Sequence, residues 1–267
     1  KELANSIINN KNLNSKLNEI FLSDAIYGLA SGSAFKYSKG YFGKKIWNAK
    51  YIDLIISLAE YLRLTRLESA QQGSFANYSK KNIIDILKSI ELKISNSISF
   101  PNIGSPYGIQ VIDKKLITFE DLEHLYAALR IVEYINLHKI NRFNNINIIE
   151  IGGGYGGLCK WLIKLLDKNI SNYTIVDLPL INIIQNYFLS LYFGEDKVNF
   201  KYNSKDKISI ISPSEYFNNY KKSNFTIVIN QNSMPEMNNK IVNNYLDSFI
   251  KKEFNYFFSF NHEAIST

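Results

Sequence analysis

The chain has 267 residues, 46% of them hydrophobic, which is enough for one large domain or two small ones around a buried core. It has one cysteine, Cys159, which excludes an intrachain disulfide and a zinc cluster built on cysteines, and which fits a reducing compartment. No apolar run is long enough to span a bilayer, and the first residues lack the apolar core of a signal peptide. We therefore expect a soluble, cytoplasmic protein.

The positive charge is concentrated in the first half of the chain. The net charge is +7; residues 1–145 contain 19 Lys and Arg against 13 Asp and Glu, whereas residues 146–267 contain 12 against 11. Only four of the 31 basic residues are arginines. Arginine is the residue that best binds phosphate and guanine through two parallel hydrogen bonds. The composition thus argues against nucleic-acid binding, and the basic half favours an anionic small-molecule substrate.

Helical spacing dominates the first half. Apolar residues recur every three or four positions over residues 51–67 and 80–92, which predicts two helices. Residues 100–108 contain two prolines and two glycines and predict a loop with fixed turns. Such a loop could line a site, so we consider Tyr107 a candidate substrate-binding residue.

The pattern changes near residue 145. Thr118, three residues before Asp121, predicts the start of a helix that ends near Lys139, and residues 142–145 then form a linker. We therefore predict a mostly helical N-terminal domain over residues 1–145, which contributes to acceptor binding, and a second domain over residues 146–267.

Strands and helices alternate in the second half. Predicted strands cover residues 146–151, 173–176, 225–229 and 256–260, with either 198–202 or 208–211 as the third core strand. Predicted helices cover residues 158–166, 179 to about 194, and about 236–254. This alternation, with short loops, predicts an α/β fold with a doubly wound, Rossmann-like parallel sheet.

The first strand of this half leads into a glycine-rich turn. Five of the six residues from Gly152 to Gly157 are glycine, and a helix follows at once. Glycines let a ligand approach the main chain closely, and a helix N-terminus offers free N–H groups to an anion. Asp177 ends the next predicted strand, where its carboxylate could accept both hydroxyls of a ribose.

Two ligands fit this turn. Gly152, Gly154 and Gly157 match the dinucleotide fingerprint, and Asp177 follows twenty residues later. Glu150, Gly152, Gly154 and Gly156 match the Glu-x-Gly-x-Gly-x-Gly pattern of S-adenosylmethionine-dependent methyltransferases. The acidic Glu150 and an apolar Leu178 that can pack on adenine favour the methyltransferase, and too little chain follows for the second half of a nicotinamide-binding domain.

Three segments carry a resemblance to a known family: EIGGGYGG at 150–157, TIVDLP at 174–179 and NSMPEM at 232–237. Together they resemble the bacterial sugar O-methyltransferases, class I S-adenosylmethionine enzymes often found with genes for surface polysaccharides. The resemblance implies a class I methyltransferase sheet and an acceptor that is a sugar, or a sugar-linked or phosphorylated intermediate of capsular polysaccharide biosynthesis. The implied cofactor-binding residues are Glu150, Gly152, Gly153, Gly154, Tyr155, Gly156, Asp177, Leu178, Asn230 and Gln231.

One feature departs from that family. The class I sheet normally has seven strands, whereas this chain ends at Thr267, soon after the fifth predicted strand, and begins without methionine. We expect either a truncated chain or a shortened sheet.

Methylation of a sugar hydroxyl calls for a general base, because the hydroxyl is a poor nucleophile. His262 follows the strand at 256–260, and Glu236 follows the strand at 225–229, so both should lie at the carboxyl edge of the sheet. We rank His262 first, because neutral imidazole accepts a proton near pH 7, whereas an ordinary glutamate has a pKa near 4.3 unless burial raises it.

The amides Asn230, Gln231 and Asn232 occupy the place where metal-dependent O-methyltransferases carry carboxylates. We therefore predict no catalytic metal, and consider Asn232 a candidate substrate-binding residue. Two other classes remain open: a nicotinamide-dependent oxidoreductase and a non-catalytic subunit that keeps the methyltransferase fold.

Overall fold

The computed structural model describes residues 41–65, 80–101, 103, 110–140, 145–203, 205, 207–221 and 225–261. Contacts within the chain divide it into two compact units, Lys1–Tyr126 and Ala127–Thr267. This division falls inside a helix, upstream of the predicted boundary after residue 145, and that boundary stays a prediction.

The described part of the first unit is mostly helical. It contains α1 (Tyr41–Tyr61), α2 (Lys80–Ile94), the antiparallel hairpin β1 (Gln110–Ile112) and β2 (Lys115–Ile117), and the start of α3 (Phe119–Leu137). Both predicted helices are present, although α1 begins and ends earlier than its apolar spacing indicates. No sequence pattern indicates the hairpin, because its strands are three residues long and its turn, Asp113 and Lys114, adopts positive φ without glycine.

Helix α3 begins at the predicted cap. The backbone N–H of Asp121 donates to Oγ1 of Thr118 at 3.1 Å, which satisfies one of the free donors of the first turn. In the C-terminal part of the helix, which belongs to the second unit, the Tyr134 ring makes edge contacts with the rings of Tyr256 and Phe258 at 5.6 and 4.9 Å. This part of α3 therefore packs on the last strand of the second unit.

The second unit alternates strands and helices as predicted. Its strands are β3 (Ile146–Ile151), β4 (Ile170–Val176), β5 (Val198–Asn199), β6 (Ile208–Ile211), β7 (Phe225–Gln231) and β8 (Tyr256–Phe260). Its helices are α4 (Gly157–Leu166), α5 (Pro179–Phe193), α6 (Pro213–Asn219) and α7 (Asn239–Lys251), with single 3₁₀ turns at Asp167–Asn169, Glu195–Lys197 and Met234–Glu236. None of the helices in the described part of the chain is long and apolar enough to cross a membrane.

The six strands form one parallel sheet in the order β5-β6-β4-β3-β7-β8. The chain runs from β3 to β4, then to β5 at the edge and back to β6, and finally places β7 and β8 on the other side of β3. This order confirms the predicted Rossmann-like fold. It also identifies the third core strand as Ile208–Ile211, because β6 pairs with β4 whereas the two-residue β5 lies at the edge.

Ligands of such sheets bind outside the carboxyl ends of the strands, at the point where the order reverses. Here that point lies between β3 and β7. One face of the sheet there is packed against α6 and α7 through a cluster that includes Ile149 and Ile151 of β3 and Tyr245 of α7. Every residue of β3 is buried, including the polar Asn147 and Glu150. The glycine-rich turn therefore leaves a fully buried strand of the sheet at the reversal point.

Candidate functional site

The glycine-rich turn is fastened to the carboxyl end of the neighbouring strand. The N–H of Gly152 donates to the carbonyl of Val176 at 2.9 Å, and the N–H of Gly156 donates back to the carbonyl of Gly153 at 2.9 Å. Helix α4 then starts at Gly157. The turn therefore lies at the reversal point of the sheet, where the sequence predicts a ligand site.

Gly152 is required because another turn packs directly on it. Its φ is +73°, and a Cβ at this position would lie 2.1 Å from Oγ of Ser233. The Ser233 hydroxyl donates to the carbonyl of Ile151 at 2.9 Å, and the side-chain amide of Asn230 donates to the same carbonyl at 2.8 Å and to Ser233 Oγ. The residues after β7 thus hold the exit of β3.

Gly154 is different, because it has space around it. Its φ is +54°, and a Cβ placed there would meet no atom within 4 Å. A ligand could therefore lie directly against the main chain at this residue, which is the role that the sequence predicts for the turn.

Asp177 is bound to the glycine-rich turn. Its Oδ1 accepts the N–H of Leu178 at 2.8 Å, and its Oδ2 accepts Nε2 of Gln185 at 2.9 Å. Burial raises the pKa of Asp177 to about 6, although hydrogen bonds from Leu178, Gln185, Gly154 and Gly153 favour the ionised form. The carboxylate is thus held beside the turn and remains only partly exposed.

Gln185 joins the two motifs that the sequence singles out. It lies on α5 and is fully buried, and its Nε2 donates to the carbonyl of Gly154 and to Asp177 Oδ2, both at 2.9 Å. The sequence interpretation missed this residue. The available signal was an amide at the centre of an apolar helix, between Ile184 and Phe188, where an unpaired polar group would be costly.

Glu150 lies beneath the turn. The hydroxyl of Tyr173, on β4, donates to its Oε2 at 2.8 Å, and the same oxygen would be 3.1 Å from a Cβ at Gly153. Burial raises the pKa of Glu150 to about 7; the hydrogen bond from Tyr173 opposes this rise and the charge of Asp177 adds to it. Glu150 therefore supports the loop from the core side, and the structure covers it with the turn.

The side chains of two other predicted cofactor-binding residues make their contacts with other parts of the protein. The Tyr155 ring is buried and packs edge-on against Phe188 at 4.9 Å. Asn230 is fully buried, uses both amide hydrogens on Ile151 and Ser233, and accepts the N–H of Met234 at 3.2 Å. Tyr155 thus contributes to packing and Asn230 to fastening the loop, and direct contact of either residue with a cofactor stays a prediction.

Three predicted residues remain open at the edge. The Leu178 side chain is 63% exposed next to Asp177, as a residue that packs on adenine needs to be. Asn232 is exposed with φ +59°, and its N–H donates to the carbonyl of Phe260 at 2.9 Å. Gln231 is half-buried, and its Oε1 accepts no hydrogen bond within the described part of the chain. These roles stay predictions.

Of the four predicted catalytic and acceptor residues, His262 and Tyr107 lie outside the described residues. Glu236 is exposed in the 3₁₀ turn Met234–Glu236, so the burial that would make it the stronger base is not found. Among the residues that the structure describes, no three His, Cys, Asp or Glu side chains gather as a metal site would require.

Comparison with known proteins adds little to this geometry. No protein-family profile matches the chain. The structure of the mitomycin 7-O-methyltransferase MmcR is similar at 11% sequence identity and a TM-score of 0.29, over 80% of this chain and 76% of that one. A TM-score this low carries no weight, so the fold assignment rests on the observed strand order and the site on its own contacts.

The raised pKa of Glu150 predicts a pH-dependent stability. Between pH 4.5 and about 7 the folded protein keeps a proton that the unfolded chain has lost, so the free energy of unfolding falls as pH rises. We expect Glu150→Gln, which stays neutral, to remove a fall on the order of 3 kcal/mol over this window. Urea denaturation of both proteins at pH 4.5 and 8 measures the difference. Glu120 and Glu123, whose pKa values are also raised, titrate in both proteins and cancel. Asp177 interacts with Glu150, so its titration contributes to the measured difference.

The two glycines of the turn should respond differently to alanine. Gly152→Ala places an alanine at positive φ and brings its Cβ into collision with Ser233. Gly154→Ala only places an alanine at positive φ, which costs about 1–2 kcal/mol of folding free energy. We expect Gly152→Ala to lower the free energy of unfolding more than Gly154→Ala, by at least a further 1 kcal/mol. Chemical denaturation checks the order, and equal losses would contradict the contact between Gly152 and Ser233.

Proposed function

We propose that this protein is an S-adenosylmethionine-dependent O-methyltransferase. Its acceptor would be a sugar, or a sugar-linked or phosphorylated intermediate of surface polysaccharide biosynthesis. The observation that carries the choice of cofactor is the position of Asp177, whose carboxylate is joined to the glycine-rich turn through Nε2 of Gln185.

A dinucleotide fits this arrangement poorly. In a dinucleotide site the turn offers its N–H groups to a pyrophosphate. Here the N–H groups of Gly153 and Gly154 already favour the ionised Asp177 carboxylate, and a pyrophosphate at the turn would lie beside that negative charge. Like charges this close repel strongly where water is scarce. S-adenosylmethionine has a ribose for Asp177 and no phosphate, and its sulfonium is positive.

The described residues fit such a cofactor. The open main chain at Gly154 leaves room for the ligand against the turn. Asp177 accepts the ribose hydroxyls, and the exposed Leu178 packs on the adenine. Glu150 supports the turn from the core side, and Asn230 fastens the end of β3.

When bound, the cofactor supplies a methyl group on a sulfonium. The protein holds the acceptor oxygen in line with that methyl group, and positioning of this kind is the main source of the rate. In our proposal an imidazole nitrogen of His262 takes the proton of the acceptor hydroxyl, and Asn232 binds the sugar. Glu236 is the alternative base.

The sugar assignment rests on the three resembling segments and on charge. The excess of positive charge in residues 1–145 favours an anionic acceptor, such as a nucleotide-linked or phosphorylated sugar. Tyr107 remains a predicted acceptor contact.

Calorimetric titration with S-adenosylhomocysteine tests the cofactor. We expect micromolar binding to the wild-type protein, and at least tenfold weaker binding, about 1.4 kcal/mol, to Asp177→Asn, which keeps the shape but loses the charge. Asp247→Asn, an exposed acid on α7, is the matched control and should bind as the wild type does. Binding of a nicotinamide dinucleotide in place of S-adenosylhomocysteine would overturn the proposal.

A pH–rate profile with an accepted substrate tests the base. The substrate comes from a screen of nucleotide-linked and phosphorylated sugars with methyl-labelled cofactor. We expect His262→Ala to lower turnover at least a hundredfold at pH 7, because general-base catalysis typically contributes that much, and Glu236→Gln to change it little. Retention of more than about a tenth of the turnover by His262→Ala would exclude histidine as the base.

A further inference from the structure

We infer that Gln185 is a positioning residue, which holds the Asp177 carboxylate and the glycine-rich turn in the geometry that ribose recognition needs. This inference rests on the proposed function, because it assigns Gln185 a part in the same cofactor site. None of the sequence motifs includes Gln185; the assignment comes from its contacts.

One nitrogen atom makes both connections. Nε2 of Gln185 has two hydrogens, and it donates to the Gly154 carbonyl and to Asp177 Oδ2, each at 2.9 Å. Gly154 is the residue with open space for a ligand, and Asp177 is the proposed ribose acceptor. Gln185 therefore fixes the positions of these two groups relative to each other, and both groups line the proposed ligand site.

The support behind this nitrogen is rigid. Helix α5 starts at Pro179, two residues after Asp177, and Gln185 lies in its second turn. The side chain is fully buried, so its rotamer is restricted by the surrounding core. A group on a packed helix holds a ligand-binding side chain more precisely than a loop residue does.

Packing alone does not explain an amide here. Oε1 of Gln185 is buried and accepts no hydrogen bond within the described part of the chain. A buried carbonyl without a donor destabilises the fold, so an apolar side chain of the same shape would suit the core at least as well. The two donated hydrogen bonds are the feature that only the amide provides.

Gln185 also affects the charge state of Asp177. Its hydrogen bond lowers the pKa of Asp177, together with those from Leu178, Gly153 and Gly154, while burial raises it. The titratable groups that face this carboxyl are Glu150 of β3 and Tyr245 of α7, whose pKa values are raised by burial and raised further by the charge of Asp177. Without Gln185, Asp177 would keep its proton to a higher pH, and a protonated carboxyl accepts the ribose hydroxyls less well.

The test compares Gln185→Met, which keeps length and apolar volume, with Asn182→Leu. Asn182 is also a buried amide on α5, one turn earlier, and its Oδ1 accepts no hydrogen bond from the described residues. S-adenosylhomocysteine binding is measured by calorimetry from pH 5 to 8.5. We expect Gln185→Met to bind at least tenfold more weakly at pH 6.5 and to show its pH midpoint at a higher pH, whereas Asn182→Leu keeps the wild-type midpoint.

A second measurement needs no ligand. In the free proteins, the ¹³C chemical shift of the Asp177 carboxyl should titrate at higher pH in Gln185→Met than in wild type and Asn182→Leu. If Gln185→Met does not fold, Gln185→Asn, whose shorter amide cannot reach both acceptors, takes its place. Wild-type affinity and an unchanged Asp177 midpoint in the Gln185 variant would overturn the inference while leaving the proposed function intact. Failure of the wild-type protein itself to bind S-adenosylhomocysteine would overturn the proposed function instead.

Discussion

The site depends on one interaction, the placement of the Asp177 carboxylate against the glycine-rich turn. β4 delivers Asp177 to the carboxyl edge, and the N–H of Gly152 donates to the carbonyl of Val176 just before it, so strand and turn meet at fixed register. Gln185 joins the carboxylate to the turn, and the N–H groups of Gly153 and Gly154 favour its ionised form. A glycine-rich turn is by itself a general anion site, and in the proposed cofactor site the carboxylate already beside it would repel a second anion.

The far side of the turn is fixed just as firmly, by residues that follow β7. Asn230 and Ser233 both donate to the carbonyl of Ile151, and Ser233 fills the space that a side chain at residue 152 would need. At the reversal point of a doubly wound sheet, the connections leave in opposite directions and a crevice forms between them. Here the turn after β7 covers the β3 side of that crevice at Gly152, whereas the main chain at Gly154 stays open.

The sequence predicts the strands and helices of the second unit well, because apolar periodicity and the positions of glycine and proline are local signals. The apolar run at Ile146–Ile151, the glycines and Pro179 place β3, the turn and α5 without any tertiary information. The side-chain roles are not local: whether Tyr155 lies over a ligand or against Phe188, and whether Asn230 faces solvent or Ile151, depends on packing between distant segments. Gln185 was missed for the same reason, since its partners are Gly154 and Asp177.

Glu150 and Asp177 lower the stability of the fold, because both carboxyl groups are desolvated. Both are carboxyl groups, each is desolvated, and the charge of Asp177 further raises the pKa of Glu150. Replacing either by an apolar residue would relieve this penalty, so a sequence shaped by stability alone would not place both at one edge. In the proposed function this pair suits a ligand that brings positive charge, because such a ligand would offset the repulsion and favour the ionised forms. A pyrophosphate would do the opposite, so the two carboxyl groups that destabilise the free protein also support the proposal of a cationic cofactor over a dinucleotide.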